Sequence, residues 1–177
     1  MKIILLALLG TAGPAPAQDD DLRPGLVAEY FDVGEEINDF PTLKGLKPVL
    51  RRVEKDVNIA QTNGPFNGSG LVDTFTVRWT GTIAIPKAGR YQFITESDDG
   101  SRVFIDGKLV VDNGGCHIPE EKDGAVELAA GKHPFRLDYF ENNGGASCRL
   151  KWASDEFKAE IIPAKVFFHK KDADLDK

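Results

Sequence analysis

Two adjacent carboxylates, Asp98 and Asp99, are the feature of the sequence with the clearest chemical potential. They end a stretch in which Tyr91 and Phe93 alternate with other residues, the two-residue period of a half-buried β-strand. Gly100 follows them, which favours a turn. Like charges placed side by side repel one another unless a cation or hydrogen-bond donors offset them. The pair is therefore either a cation site or an ordinary turn whose carboxylates accept backbone N–H groups.

A second acidic turn, Asp106-Gly107, has a different character. It separates the apolar run Val103–Ile105 from the apolar run Leu109–Val111. An Asp-Gly pair in this setting is a strong hairpin signal, because a type I′ turn needs positive φ at both central residues. We expect this second turn to be architectural.

No pattern typical of an enzyme accompanies the two turns. His117, His133 and His169 are scattered without the spacing of a zinc site, and no nucleophile elbow or phosphate-binding glycine loop is present in the sequence. Adjacent carboxylates also suit glycoside hydrolysis poorly, since that chemistry needs a separation of about 5–10 Å across a cleft. The sequence therefore predicts a protein that is not an enzyme, with a small hydrolase of unrecognised site as a remaining alternative.

The start of the chain has the pattern of an export signal. Lys2 precedes the apolar run Ile3–Leu9, and Ala15-Pro16-Ala17 fits a small-residue cleavage motif. We expect residues 1–17 to be a signal peptide, the alternative being an apolar tail on a cytosolic protein. The apolar run is far shorter than the ~20 residues that span a membrane, so membrane insertion is not expected. The prediction is a secreted, periplasmic or cell-surface protein.

The charge balance limits the possible partners. The chain carries 28 Asp and Glu against 22 Lys and Arg, a formal net charge of −6. Such a surface repels nucleic acid and anionic lipid, and it raises the local concentration of cations. We therefore expect no nucleic-acid partner.

The two cysteines, Cys116 and Cys148, allow one disulfide in an exported chain. Cys116 follows one strand candidate through a short loop and Cys148 opens another, so we expect them to form a bridge. Two unpaired thiols are the alternative, because sequence alone cannot show that the β-carbons approach one another.

The strand pattern extends along most of the chain. Phe75, Val77, Trp79 and Ile85 fall on one parity of a long half-buried strand, and similar short patterns recur between Gly and Asp turns. No convincing amphipathic helix interrupts them. The fold class predicted is all-β, an antiparallel β-sandwich or barrel of about eight strands. We expect a flexible lead-in over 18–24, one domain over 25–169 and a disordered charged tail over 170–177.

The aromatic residues could in principle stack on sugar rings. Trp79, Trp152, Tyr91 and Phe93 lie on the inward parities of their strands, however. We expect them to belong to the hydrophobic core.

Several motifs occur in an order that resembles the PA-14 domain family, over roughly residues 25–169. They are Gly25-Leu-Val-Ala-Glu-Tyr-Phe-Asp32, Phe75-Thr-Val-Arg-Trp-Thr-Gly81, Gly89-Arg-Tyr-Gln-Phe93, Ser97-Asp-Asp-Gly-Ser-Arg102, Ile105-Asp-Gly-Lys-Leu-Val-Val-Asp-Asn113, Leu128-Ala-Ala-Gly-Lys-His133, Tyr139-Phe140, Leu150-Lys-Trp152, Ile162-Pro-Ala164 and Phe168-His169. The resemblance implies a PA-14-like β-sandwich that serves as a non-catalytic carbohydrate-binding or accessory module.

The resemblance also implies a site. In the adhesin branch of that family, two adjacent aspartates joined by a cis peptide hold a calcium ion that ligates sugar hydroxyls. Asp98 and Asp99 match that pair, and Asn142 matches the asparagine that a second loop supplies, with Glu141 and Asn143 beside it as further ligand-binding candidates. Calcium prefers such oxygen donors. We therefore expect a carbohydrate partner and a calcium cofactor, the alternative being a structural or protein-interaction module without a sugar site.

Overall fold

Alternating apolar residues build two antiparallel β-sheets that pack face to face in the computed structural model, which describes residues 21–176. The strands, in chain order, are β1 (Leu22–Pro24), β2 (Leu26–Asp32), β3 (Leu50–Glu54), β4 (Asn58–Thr62), β5 (Phe75–Ile85), β6 (Gly89–Asp98), β7 (Ser101–Ile105), β8 (Lys108–Asn113), β9 (Glu120–Leu128), β10 (Gly131–Glu141), β11 (Ala146–Ser154), β12 (Phe157–Ile161) and β13 (Phe167–Lys170). Two short 3₁₀ turns lie at Phe66–Gly68 and Ala164–Val166. The prediction of an all-β antiparallel sandwich is confirmed.

The larger sheet is ordered β1-β13-β5-β10-β7-β8, with β2 also paired to β5 and β3 paired to β2. The smaller sheet is ordered β12-β11-β6-β9, with β4 also paired to β11. Strands β5 and β10 pair along their whole length, from Gly131 opposite Ile85 to Glu141 opposite Phe75. Because successive side chains point to opposite faces, this register directs one parity of both strands into the core.

The core between the sheets is rich in aromatic side chains. Trp79, Phe93, Tyr91 and Trp152 are all buried, which confirms that they belong to the core rather than to an exposed sugar platform. The indole N–H of Trp79 donates to Glu54 Oε2 at 2.7 Å, so its polar atom is satisfied inside the sandwich.

Among the connections that cross between the two sheets at one end of the sandwich, three surround the end of β6. They are residues 99–100 between β6 and β7, residues 114–119 between β8 and β9, and residues 142–145 between β10 and β11. In the smaller sheet β6 lies between β11 and β9, and in the larger sheet β7 lies between β10 and β8. The three crossover connections, as we call these segments, are therefore neighbours although they are far apart in sequence.

The boundaries of the domain differ from those predicted. Leu22–Pro24 is strand β1, with Leu22 opposite Lys170 in β13, so the prediction of a flexible lead-in is wrong for these residues. Lys170 belongs to β13 and Asp172 pairs with Arg51 at 2.7 Å, so the segment 170–176 is not disordered as predicted. Strands β1 and β13 are too short to show an alternating apolar pattern in the sequence, and each depends on a partner distant in sequence.

The predicted signal peptide, residues 1–17, lies outside the described residues. Between residues 21 and 176, no helix has the length and apolar character needed to cross a membrane.

Candidate cation and sugar site

The acidic pair lies where the chain leaves the smaller sheet. Asp98 is the last residue of β6, Asp99 begins the first crossover connection, and the peptide bond between them is cis, as the resemblance implied. Both residues are nearly buried, with 7% and 5% of their surfaces exposed. A pair of carboxylates in this position needs compensation that bulk water no longer supplies.

Asp99 ties the three crossover connections together. Its Oδ1 accepts a hydrogen bond from the backbone N–H of His117 at 2.8 Å. Its Oδ2 accepts one from the backbone N–H of Asn142 at 2.9 Å. Backbone donors therefore offset part of the charge of Asp99, which is the arrangement expected of an ordinary turn.

Asp98 has weaker compensation. Its Oδ2 accepts a hydrogen bond from the side-chain amide of Gln61 at 3.0 Å, and its backbone carbonyl accepts one from the hydroxyl of Tyr139 at 2.6 Å. Burial raises the pKa of the Asp98 carboxyl, the neighbouring Asp99 raises it further, and His117 lowers it. Hydrogen bonds alone therefore leave the charge of Asp98 incompletely offset.

Glu141 adds a third carboxylate behind the pair. It is fully buried, and its Oε2 accepts a hydrogen bond from the backbone N–H of Asp99 at 3.1 Å. The same Oε2 lies 3.1 Å from the hydroxyl of Tyr139, which shares its one proton with the closer carbonyl of Asp98. Its other oxygen, Oε1, is buried without a hydrogen-bond partner among the described residues. Burial raises the pKa of Glu141 to about 8, with Asp99 and Asp98 adding to the effect. An unpaired buried oxygen of this kind calls for a specific explanation.

The two asparagines of the third crossover connection have different surroundings. Asn142 is buried, and its Oδ1 accepts a hydrogen bond from the backbone N–H of Ile37 at 3.0 Å. A carbonyl oxygen has two lone pairs, so this bond leaves Asn142 one acceptor position. Asn143 is exposed at the rim. Four predicted site residues, Asp98, Asp99, Glu141 and Asn142, thus come together, and Asn143 lies beside them.

The donor chemistry fits calcium through a mixed set of ligands. No group of three or more His, Cys, Asp or Glu side chains within residues 21–176 is arranged to hold one metal ion. A cation here would combine Asp98 and Asp99 with amide and backbone carbonyl oxygens, all of them hard donors that calcium accepts. The unpaired Oε1 of Glu141 leaves a buried oxygen at this end without a hydrogen-bond partner among the described residues.

Sequence reasoning missed several residues of the site. Gln61 lies on β4, a strand whose only buried residue is Ile59, so it has no alternating pattern. His117 and Ile37 contribute backbone N–H groups, which any residue type would supply. Tyr139 was the one contributor with a sequence signal, because it lies two residues before Glu141 on the inward parity of β10.

The predicted disulfide is absent, and that prediction is wrong. Both cysteines are free thiols, Cys116 exposed and Cys148 buried. Cys148 belongs to the core face of β11, whereas Cys116 lies in the second crossover connection with its thiol donating to the carbonyl of Ile37 at 3.1 Å. The sequence contains the two thiols but not the directions in which they point.

The two antiparallel sheets, with a polar site at the crossover end, define the class of β-sandwich domains. The family model described as "PA14 domain" matches residues 22–165, and the chain belongs to this family.

Individual relatives extend the comparison. Anti-sigma-I factor RsgI3 of Acetivibrio thermocellus is 34% identical over 97 residues, which are 54% of this chain and only 15% of that protein. A solved anti-sigma factor domain-containing protein is 28% identical with a TM-score of 0.72, over 85% of this chain and 50% of that one. The PA14 sugar-binding domain from an RTX adhesin has a TM-score of 0.72 at 20% identity, over 82% of this chain and 98% of that domain. The similarity to the RTX adhesin domain shows that the two chains share a fold.

Proposed function

We propose that this chain is an exported, non-catalytic carbohydrate-binding module whose sugar site is the Asp98–Asp99 pair. The observation that carries the proposal is the cluster of three nearly or fully buried carboxylates with an oxygen of Glu141 left unpaired among the described residues. Burying carboxylates so close together is costly, and a bound cation would offset that cost. A PA14 relative that is named a sugar-binding domain supports the choice of carbohydrate.

Calcium is the cation that the donor set favours. Asp98, Asp99 and the side-chain oxygen of Asn142 would hold it, with backbone carbonyls of the third crossover connection available nearby. Calcium takes about six to eight oxygens, so a bound ion supplies free coordination positions that sugar hydroxyls can fill. The exposed Asn143, next to Asn142 in the chain, would hydrogen-bond the same sugar. Glu141 would orient Asp99 by accepting a hydrogen bond from its backbone N–H.

The anti-sigma relatives favour a second candidate function. The identity to an anti-sigma-I factor is confined to a part of that longer protein. A domain of this kind would serve as the ligand-sensing part of a regulatory protein, and sugar binding would be its input. The alternative to both candidate functions is a structural or protein-interaction module without a sugar site.

Calorimetry with calcium and a glycan array, each with and without chelator, test the proposal. Wild-type protein should bind calcium and retain a set of glycans that chelator releases. Asp98→Asn should abolish both, whereas Asp106→Asn, with the same change in net charge at the hairpin turn, should leave both intact. Calcium that produces neither heat nor a change in the melting temperature would show that the pair is an ordinary turn.

The glycan array with and without chelator has two further outcomes. Glycan binding that survives in chelator would remove calcium from the mechanism and leave the sugar site standing. No glycan retained under either condition would favour the interaction module. These outcomes separate a calcium-dependent sugar site, a sugar site without calcium and an interaction module without a sugar site.

A further inference from the structure

Gln61 is an exposed residue that nevertheless reaches the buried acidic pair. It lies on β4, at the edge of the smaller sheet, and its Nε2 donates a hydrogen bond to Asp98 Oδ2 at 3.0 Å. Among the hydrogen bonds of the described residues, Gln61 supplies the side-chain donor to the Asp98 carboxylate. The amide of Gln61 carries no charge. A neutral donor can fix a carboxylate without neutralising it, whereas Lys or Arg would compete with a cation.

The strand that carries Gln61 is bulged at this point. Ala146 of β11 lies opposite Thr62, and Cys148 lies opposite Ile59. Between these two pairs β4 therefore contains one residue more than β11. A bulge of this kind changes the direction of the side chains within it. The extra residue falls in the segment Ala60–Gln61, the segment whose Gln61 side chain reaches Asp98.

Gly145 provides the space that this side chain occupies. A Cβ at position 145 would lie 2.6 Å from Gln61 Nε2, 3.2 Å from Asn63 Oδ1 and 3.3 Å from Asp98 Oδ2. The first of these distances is shorter than real Cβ contacts allow, so the amide of Gln61 packs directly against the glycine. The backbone of Gly145 is not in the left-handed region, so the glycine is required for its lack of a side chain.

We propose that Gln61 is a positioning residue for the cation site, and that Gly145 is glycine so that Gln61 can reach Asp98. By holding Oδ2, Gln61 restricts the Asp98 carboxylate to one orientation, which directs its other oxygen toward the cation. Partners of this kind orient metal ligands, and their loss typically weakens metal binding by about 10–100-fold. The inference rests on the proposed function, because it assigns Gln61 a role toward the same ion.

Two substitutions at Gln61 test the role of the donor. Gln61→Met keeps the length of the side chain and removes the N–H, and Gln61→Ala removes both. Calorimetry with calcium alone should give a dissociation constant about tenfold weaker for each variant. In chelator, the melting temperature of each variant should equal that of the wild type. A loss of stability both with and without calcium would instead indicate that the Gln61 side chain has a structural role only.

Two glycine substitutions provide a matched pair on the same rim. Gly145→Ala should weaken calcium binding as the Gln61 variants do, because the methyl group displaces the amide. Gly64→Ala should not, because its Cβ would meet only Thr62 Oγ1, at an ordinary 3.6 Å. Wild-type protein that binds no calcium would overturn the calcium part of the proposed function together with this inference. Wild-type binding with less than a twofold loss in Gln61→Met would overturn the inference alone.

Discussion

The two acidic turns of this chain are similar in sequence but have different surroundings and roles in the structure. Asp106-Gly107 joins β7 to β8 within one sheet, with φ of 51° and 75° at its two residues, the positive values predicted for a type I′ turn. The side chain of Asp106 is 43% exposed and pairs with His133 at 2.8 Å. Asp98-Asp99-Gly100 carries the chain from one sheet to the other, and its carboxylates are nearly buried.

The difference shows what decides the use of a turn. A hairpin brings together strands that are already adjacent, so its side chains remain at the surface. A crossover connection has neighbours from distant parts of the chain, and here Asp99 accepts hydrogen bonds from two of them. Burial by these neighbours makes a carboxylate costly unless something compensates it. The same residue types therefore become a surface turn in one place and a candidate cation site in the other.

The largest effect is expected for Gly100→Ala. A Cβ there would lie 2.4 Å from Cε1 of the fully buried Phe140 and 3.1 Å from the carbonyl oxygen of Gly115. Overpacking of this kind costs about 3 kcal/mol, because the ring has little room to move. Urea unfolding of wild type and variant measures the loss. A cost below about 1 kcal/mol would mean that the crossover end is no more tightly packed than a hairpin.

Calcium should stabilise the protein through the crossover turn and not through the hairpin. At a free calcium concentration 100 times the dissociation constant, the gain in the free energy of unfolding is about 2.7 kcal/mol. Asp99→Ala should remove this gain and Asp106→Ala should keep it. Thermal unfolding with and without chelator measures both. An equal calcium response in the two variants would contradict the distinction between the turns.

Gly107→Ala should have a smaller effect than Gly100→Ala and a different cause. Its Cβ would meet nothing within 4 Å, but φ at this position is 75°, where an L side chain is strained. The expected loss is about 1 kcal/mol, the usual cost of the left-handed region for a residue with a Cβ. The same urea experiment checks it, and calcium affinity should be unchanged.

The smallest effect is a pH dependence at the hairpin. Burial favours the neutral imidazole of His133, but hydrogen bonds to Asp106 and to the carbonyl of Ala129 outweigh it and raise the pKa of His133. A raised folded pKa gives stability that is complete below the unfolded value near ~6.5 and is lost as the pH rises through the folded value. His133→Gln should therefore cost a few tenths of a kcal/mol, about the worth of a surface pair, at pH 5.5 and nothing at pH 9. A loss that grows with pH would contradict the assignment.

Much of the fold could be predicted from the sequence because long strands carry their own pattern. The alternation from Phe75 to Ile85 corresponds to β5 residue for residue, and the Asp106-Gly107 hairpin lies where its turn chemistry predicts. Strand β9 begins at Glu120, in a charged segment without an alternating apolar pattern, because pairing with β6 outweighs local preference. Thirteen strands are present in residues 21–176 where about eight were predicted.

The candidate site was predictable only in part. Asp98 and Asp99 were found from their residue types, Glu141 and Asn142 from the family resemblance, and the structure brings the four together. Gln61 could not be found in this way, because its position depends on a bulge in β4. The failed disulfide has the same origin, since the orientation of Cys148 into the core depends on the pairing of β11 with β6 and β4.

The pairing of β1 with β13 has a mechanical consequence. Leu22 lies opposite Lys170, so the polypeptide enters and leaves the domain at the same end of an antiparallel pair. A force that pulls these two residues apart loads the hydrogen bonds of the pair one after another instead of all together. Under tension the domain should therefore peel from this edge, while the connections that hold Asp98 and Asp99 lie at the ends of other strands and carry the load only later.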